Sequence, residues 1–339
     1  MVAELEDEKQ YLQGEAVQTI YFGGGTPSIL DVSDLKLLLQ TIHANYPIAA
    51  NAEVTLEANP DDINMEMLSV WKEIGINRLS VGIQSFFEAE LKWMNRAHNA
   101  NQAAECIEML QKAGFTNYSI DLIYGSPMLT DEQWKQNVEK VISLKIPHLS
   151  CYALTVEERT PLYKLIDTKK SEAVDADKQA RQFTMLMKWL KEAGYHHYEV
   201  SNFALPGLES RHNSSYWQGK KYLGIGASAH SFNGSERRWN IDNNHLYMNG
   251  IREHQPMREK EILTTEQKLN EYLMISLRTS TGIDLNYLKA VWGEKEANRV
   301  LAQLKKYLDH NLVTLQHDHA ILTNEGMLLA DGIASSLFS

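Results

Sequence analysis

Three polar side chains, Glu57, Gln84 and Asp121, stand at the ends of apolar stretches, and a glycine run, Gly23-Gly24-Gly25, closes another, VQTIYF. Carboxylates and an amide in such places are costly to bury unless they meet one another or a polar ligand. The glycines take turn conformations closed to other residues and leave main-chain N–H groups bare toward a ligand. They do not form a phosphate loop of the Walker kind, because no Gly-Lys-Ser/Thr follows, and they lack the GxGxxG spacing of a dinucleotide site. Taken with Thr26, the set describes a pocket for a polar small molecule. Arg96, in WMNRAHN, offers a planar charged fork that suits a carboxylate; a favourable charge at a helix end is the equally simple reading. A further stretch, Arg211-His212-Asn213-Ser214-Ser215-Tyr216-Trp217, combines aromatic and polar groups.

Positioning these residues requires strands that alternate with helices. Val17 to Ile20 reads as a strand, and further strands are expected at 53–57, 78–83, 118–123 and 148–154. Helical stretches lie between them at 64–75, 88–95, 100–114 and 131–144, several ending in glycine. A helix over 28–40, entered through Asp31 or Ser33, has Leu35, Leu38 and Leu39 as its apolar face, and residues 4–15 read as the tail of an amphipathic helix. Such alternation implies parallel βαβ units, in which ligands gather at the carboxyl ends of the strands.

Composition narrows the function classes. The 339 residues are 43% hydrophobic and 23% charged, ordinary for a globular protein, with a net charge of -11 that argues against a general nucleic-acid binder. No apolar run reaches the roughly 20 residues that span a bilayer. The acidic start does not read as a signal peptide, so a cytoplasmic location is expected. Cys106 and Cys151 each sit in an apolar segment and read as buried thiols.

In the second half, 161–178 is a polar surface excursion, 177–194 a helix, and Tyr198, Val200 and Phe203 outline a strand that breaks at Pro206-Gly207. His196 and His197 fall on alternate sides of that strand. The small-residue run Gly224 to Ala229 lets a loop approach a ligand or another backbone closely. Helices at 266–278, 284–292 and 295–310, a hairpin around His317-Asp318-His319 and a helix starting at Thr323 have the layout of a winged-helix module. Two histidines at a hairpin tip without further ligands read as exposed turn residues.

The blocks YFGGGTP, TLEANPDD, NRLSVGIQSF, SIDLIYGSP and YEVSNFALPG…RHNSSYW…YLGIGASAHSF resemble, in order and spacing, those of the oxygen-independent coproporphyrinogen oxidase group of radical SAM proteins, and most of all its heme-chaperone branch. The resemblance covers essentially the whole chain. It implies an α/β fold, a partial six-stranded (β/α) barrel of TIM type at 1–165, completed over 166–255 and followed by a winged-helix-like domain at 256–339. It further implies S-adenosylmethionine (SAM) across the strand ends, with Gly24, Gly25 and Thr26 along its methionine part and Glu57, Gln84, Arg96 and Asp121 completing the site. At the fifth strand the equivalent is Ala153 or Thr155, and His230 faces either SAM or substrate.

His212, Asn213, Tyr216 and Trp217 match the branch's HNxxYW block, where the histidine is a suggested heme contact. Imidazole is an axial ligand of heme iron and aromatic rings suit a porphyrin face; the bland alternative is packing over the open side of the barrel. The resemblance implies heme and client hemoproteins as partners, and the alternatives are decarboxylation of coproporphyrinogen or a cluster-less SAM-binding protein. The HNxxYW block and the shorter chain favour the chaperone. Members also carry a CxxxCxxC loop for a four-iron four-sulfur cluster, which this sequence lacks. The expectation is therefore a truncated chain, without the first barrel strand and inactive in radical chemistry as it stands. Oligomeric state is left open.

Overall fold

A computed structural model describes residues 1–158, 160–169 and 171–339. The first half lays down α1 (Val2–Asp7), β1 (Val17–Phe22), α2 (Val32–Asn45), β2 (Ile48–Ala58), α3 (Met65–Glu73), β3 (Arg78–Gln84), α4 (Glu88–Trp93), α5 (Ala100–Lys112), β4 (Tyr118–Tyr124), α6 (Asp131–Ser143) and β5 (His148–Ala153). Strands β1 to β5 are parallel neighbours in sequence order. After α7 (Pro161–Asp167) and α8 (Ala176–Glu192), β6 (His196–Glu199) and β7 (Asn202–Ala204) add antiparallel strands beyond β5, giving a seven-stranded curled half-barrel.

Local chemistry explains the boundaries. Asn99 with Gln102, and Thr130 with Gln133, form capping boxes that start α5 and α6. The helix expected from residue 28 begins only at Val32, because Pro27 to Ile29 close a tight 3-10 turn first. The amphipathic tail expected over 4–15 is helical only to Asp7, and the polar excursion at 161–178, in which Lys170 lies outside the described residues, contains α7. The single strand read through 198–203 is a hairpin, since Val200 and Ser201 form a turn between β6 and β7.

Strand faces divide by the two-residue period of a pleated sheet. Val54, Leu56, Leu79, Val81, Ile83, Ile120, Leu122, Leu149 and Cys151 turn outward into a dry core with Leu35, Leu39, Leu68, Trp71, Ile107, Leu110, Trp134 and Leu186 of the helices. The alternate residues, among them Glu53, Thr55, Arg78, Ser80, Ser119, His148 and Ser150, are also buried but polar, and line the concave side.

Helix α9 (Arg211–Trp217) crosses that side and contacts β1. A three-stranded sheet of β8 (His230–Phe232), β9 (Glu236–Asn240) and β10 (Arg258–Ile262), with α10 (Asn244–Arg252), follows. The sequence reading missed this sheet because ERRWN and REKEI carry no apolar alternation. Cross-strand pairs Arg237–Glu261 (3.6 Å) and Lys260–Glu236 (3.6 Å) stand in for it. Sheet and helix pin α1: buried Glu4 accepts hydrogen bonds from the Gly226 N–H (2.9 Å), Asn240 (2.6 Å), the Tyr247 hydroxyl (2.6 Å) and Arg258 (3.1 Å), and Glu8 pairs with Arg238 and Arg258.

The last region comprises α11 (Thr265–Leu277), β11 (Ile283–Asp284), α12 (Leu285–Trp292), α13 (Glu294–Asp309), β12 (Val313–Gln316), β13 (His319–Leu322), α14 (Asn324–Met327) and α15 (Ala330–Ser335), with a small sheet in the order β11-β13-β12. The helix expected from Thr323 is thus two short ones. At the hairpin, the His319 ring meets the Thr281 carbonyl at 3.0 Å.

Candidate functional site

Chain direction at the end of β1 is set by a lack of space. A Cβ on Gly23 would lie 2.6 Å from the Tyr21 ring and 2.8 Å from Glu57 Oε1, so a larger residue there would have to push both aside, and Gly24 holds a left-handed φ of +76°. The turn brings the Gly24 N–H within 3.3 Å of Glu57 Oε2, while the Tyr21 hydroxyl donates to Glu57 Oε1 at 2.7 Å. Both oxygens of Glu57 are therefore fixed. Asp121 faces the same space from β4, where its Cα partner on β5 is Ser150. Burial pushes its carboxyl up to about 7, the Glu57 charge adds to that rise, and the Ser150 hydroxyl opposes it. Burial and Glu57 likewise raise the Tyr21 phenol. The Glu57 carboxylate beside the buried Asp121 carboxyl makes this rim receptive to a cation.

Gln84 and Arg96 form a second group. Gln84 sits at φ 65°, where the β3–β4 register slips between Val81 and Gln84. Such a conformation in a non-glycine residue costs about 1–3 kcal/mol and is usual near ligand sites. Arg96 follows α4, and its Nη2 donates to Asn59 Oδ1 (3.1 Å) and to the Gly82 carbonyl (3.3 Å). Its fork thus lies on the strand ends and not against the helix terminus, and its buried Nε has no partner among the described residues. Ala153 packs against the outer core, whereas Thr155 is exposed, its hydroxyl 3.4 Å from the Ala153 carbonyl.

A cavity of about 1510 Å³ opens between β1, α9 and the loop from Lys220 to Ala229; Gly24, Thr26, His212, Tyr216 and His230 all line it. Glu53 orients α9 by accepting the Arg211 and His212 N–H groups at 3.1 and 3.0 Å, and the buried Arg78 guanidinium lies 4.0 Å from the same carboxylate. The His212 ring stacks on Tyr21 at 4.5 Å with a 16° interplanar angle. Its Nδ1 meets Thr19 Oγ1 at 2.9 Å and its Nε2 the Tyr216 hydroxyl at 3.1 Å. Burial, helped by the Arg78 charge, pulls its pKa down to about 4, so the imidazole is neutral at pH 7. His230 stacks on Trp239 at 5.8 Å. Trp217 instead lies under the Arg278 guanidinium at 5.5 Å, and neither it nor Asn213, whose N–H is 3.2 Å from Ser210 Oγ, lines the cavity.

The structure therefore joins the glycine rim to His212, Tyr216 and His230 around one space, leaves Gln84 and Arg96 as a neighbouring group, and sets Ala153, Asn213 and Trp217 apart. Sequence reasoning missed Thr19, Tyr21, Glu53 and Arg78. Thr19 and Tyr21, four and two residues before Gly23, share a strand face, a spacing that marks them as cavity-facing; Glu53 acts through a contact with α9 that is 158 residues away in sequence, and Arg78 lies behind Glu53. Cys106 and Cys151 are free and buried on the helix side, and burial pushes the Cys106 thiol up to about 12. Among the described residues, no three His, Cys, Asp or Glu side chains are grouped to hold a metal, and no helix is long and apolar enough to cross a membrane.

Comparison with known proteins gives a consistent kinship. The pattern of the radical SAM superfamily matches residues 2–141, and that of the HemN C-terminal domain matches 263–329. The heme chaperone HemW of Lactococcus lactis is 38% identical over 83% of this chain and 74% of its own length. HemW of Bacillus subtilis is 32% identical over 94% of this chain and 84% of its own, and that of Mycobacterium tuberculosis 33% over 99% and 84%. Among solved structures, coproporphyrinogen III oxidase (HemN) from Escherichia coli, a radical SAM enzyme, shares the fold at a TM-score of 0.84, covering 100% of this chain and 81% of its own at 22% identity.

Proposed function

Because the chain belongs to the HemW family of radical SAM proteins, we propose that it binds heme in the cavity between β1 and α9 and hands it to client hemoproteins, with SAM seated on the adjoining glycine rim. The observation that carries the reading is His212: a neutral imidazole, oriented by Glu53 through α9, set among the tyrosine rings of one large cavity. Neutral imidazole is the form that ligates heme iron, and tyrosine rings supply flat apolar contact to a porphyrin.

The rim fits SAM. Its sulfonium and ammonium charges match the Glu57 and Asp121 carboxylates, the open space beside Gly24 admits its methionine part, and the unpartnered Nε of Arg96 suits its carboxylate. Residues Gly25, Thr26 and Gln84 complete the rim. When bound, SAM supplies a cationic sulfur centre; the chain's own residues hold and orient it. A four-iron four-sulfur cluster does not fit these residues, because cluster ligation needs several accessible thiolates and both cysteines are buried apart in the helix-side core. No radical step is assigned to them.

Hemin titration of wild type and His212→Ala, followed in the Soret region, tests the reading. We expect a histidine-ligated spectrum that the substitution removes. Identical spectra refute heme ligation by His212, and anaerobic decarboxylation of coproporphyrinogen by this chain would replace the chaperone reading with an enzymatic one.

A further inference from the structure

The His212 ring that faces the cavity has neither nitrogen free. Nδ1 is 2.9 Å from Thr19 Oγ1, on a strand, and Nε2 is 3.1 Å from the hydroxyl of Tyr216, one turn further along the same helix. We propose that the Tyr216 hydroxyl is a latch over the iron-binding lone pair of His212, and that Thr19 is the positioning residue that keeps that lone pair on Nε2. The proposal rests on the reading of His212 as a heme contact.

A neutral imidazole has one donor and one acceptor nitrogen, so two tautomers fit the pair of contacts. Phenol is a far stronger acid than an aliphatic hydroxyl and is the better donor to an imidazole lone pair. Tyr216 therefore donates to Nε2, and the Nδ1–H donates to Thr19 Oγ1. This is the protonation pattern of a metal-binding histidine, whose second nitrogen gives its proton to a fixed acceptor and whose first points its lone pair at the metal. Here a phenolic hydrogen occupies the metal's position.

The two sides differ in mobility. Thr19 belongs to β1 and is held by its pairing with Glu53 on β2. Tyr216 is 39% exposed, and its ring meets those of His212 and Tyr222 edge-on at 5.1 and 4.9 Å. Its hydroxyl makes no other hydrogen bond among the described residues. Rotation of the phenol toward the cavity mouth exposes Nε2 without disturbing α9, and the protein keeps its imidazole covered until a flat ligand pushes the ring aside.

The test uses the full chain, hemin as the probe, and the variants Tyr216→Phe, Thr19→Val and His212→Ala. Tyr216→Phe keeps the ring and removes the latch; breaking one neutral hydrogen bond predicts hemin binding about 2–10-fold tighter with an unchanged histidine-ligated spectrum. Thr19→Val is expected to weaken binding about tenfold, as loss of a hydrogen-bond partner behind a metal-binding histidine does. Without heme, nitrogen shifts of labelled His212 should report the Nδ1–H tautomer in wild type and Tyr216→Phe and a mixture in Thr19→Val. A His212-dependent spectrum combined with equal or weaker binding in Tyr216→Phe overturns the latch alone. Equal spectra for wild type and His212→Ala overturn the underlying reading, and the latch falls with it.

Discussion

The two faces of the same five parallel strands obey different rules. On the convex face, Leu56, Leu79, Ile120 and Leu149 have no solvent exposure and pack against helices, so each position is interchangeable with others of similar volume. On the concave face, Glu53, Thr55, Arg78 and His148 are nearly as buried, yet each is defined by a partner or by the lack of one: Glu53 accepts two helix N–H groups, while Thr55 Oγ1, His148 Nδ1 and two nitrogens of Arg78 have no hydrogen-bond partner among the described residues. Burial on one side is a source of stability. Burial on the other costs stability unless polar contacts offset it.

Breaking the concave side at its tightest point has the largest expected effect. Glu53→Ala leaves Arg78 buried without its counter-charge and the Arg211 and His212 N–H groups without their acceptor, and is expected to lower unfolding free energy by about 3–5 kcal/mol in urea titration while also weakening hemin binding. The convex control, Leu56→Ala, is expected to cost about 2–5 kcal/mol through an unfilled cavity. Once folded, it should bind hemin and SAM as wild type does. A Leu56→Ala protein with altered ligand affinity would break the contrast between the faces.

Asp121 sharpens the comparison through pH. Its folded-state pKa of about 7 lies above the ordinary 3.8, so the folded protein holds a proton that the unfolded chain releases. The stability from this group is full below about pH 4 and is lost as pH rises through 7. Asp121→Asn should remove that decline and gain stability at neutral pH. In wild type, SAM affinity should fall by up to about tenfold for each pH unit below 7, because the ligand's positive charge must drive the proton off Asp121, and Asp121→Asn should flatten the profile in calorimetry. Smallest is Arg278→Gln, which removes the guanidinium over Trp217 on the far side of α9. Its expected cost is about 0.5–1 kcal/mol in thermal melts, with hemin binding unaffected because Trp217 lies outside the cavity.

The sequence by itself determined the order of strands and helices, because period-two and period-3.6 patterns are local and each βαβ unit carries its own caps and turns. It also determined which strands bear Glu57, Gln84 and Asp121, and that Gly23 to Gly25 close β1, since those are matters of position along one strand. The charged sheet of β8 to β10 escaped it, since its pairing is held by ion pairs between segments that show no apolar period. Only the tertiary structure decided that α9 lies across β1, that Glu53 turns its helix N–H groups inward, and that Thr19 and Tyr216 hold the two nitrogens of one imidazole. The pairs Thr19–His212 and Glu53–His212 join residues 193 and 159 positions apart. No periodicity in a chain encodes a contact of that range; it exists because the closing of the barrel brings a late helix against its first strand.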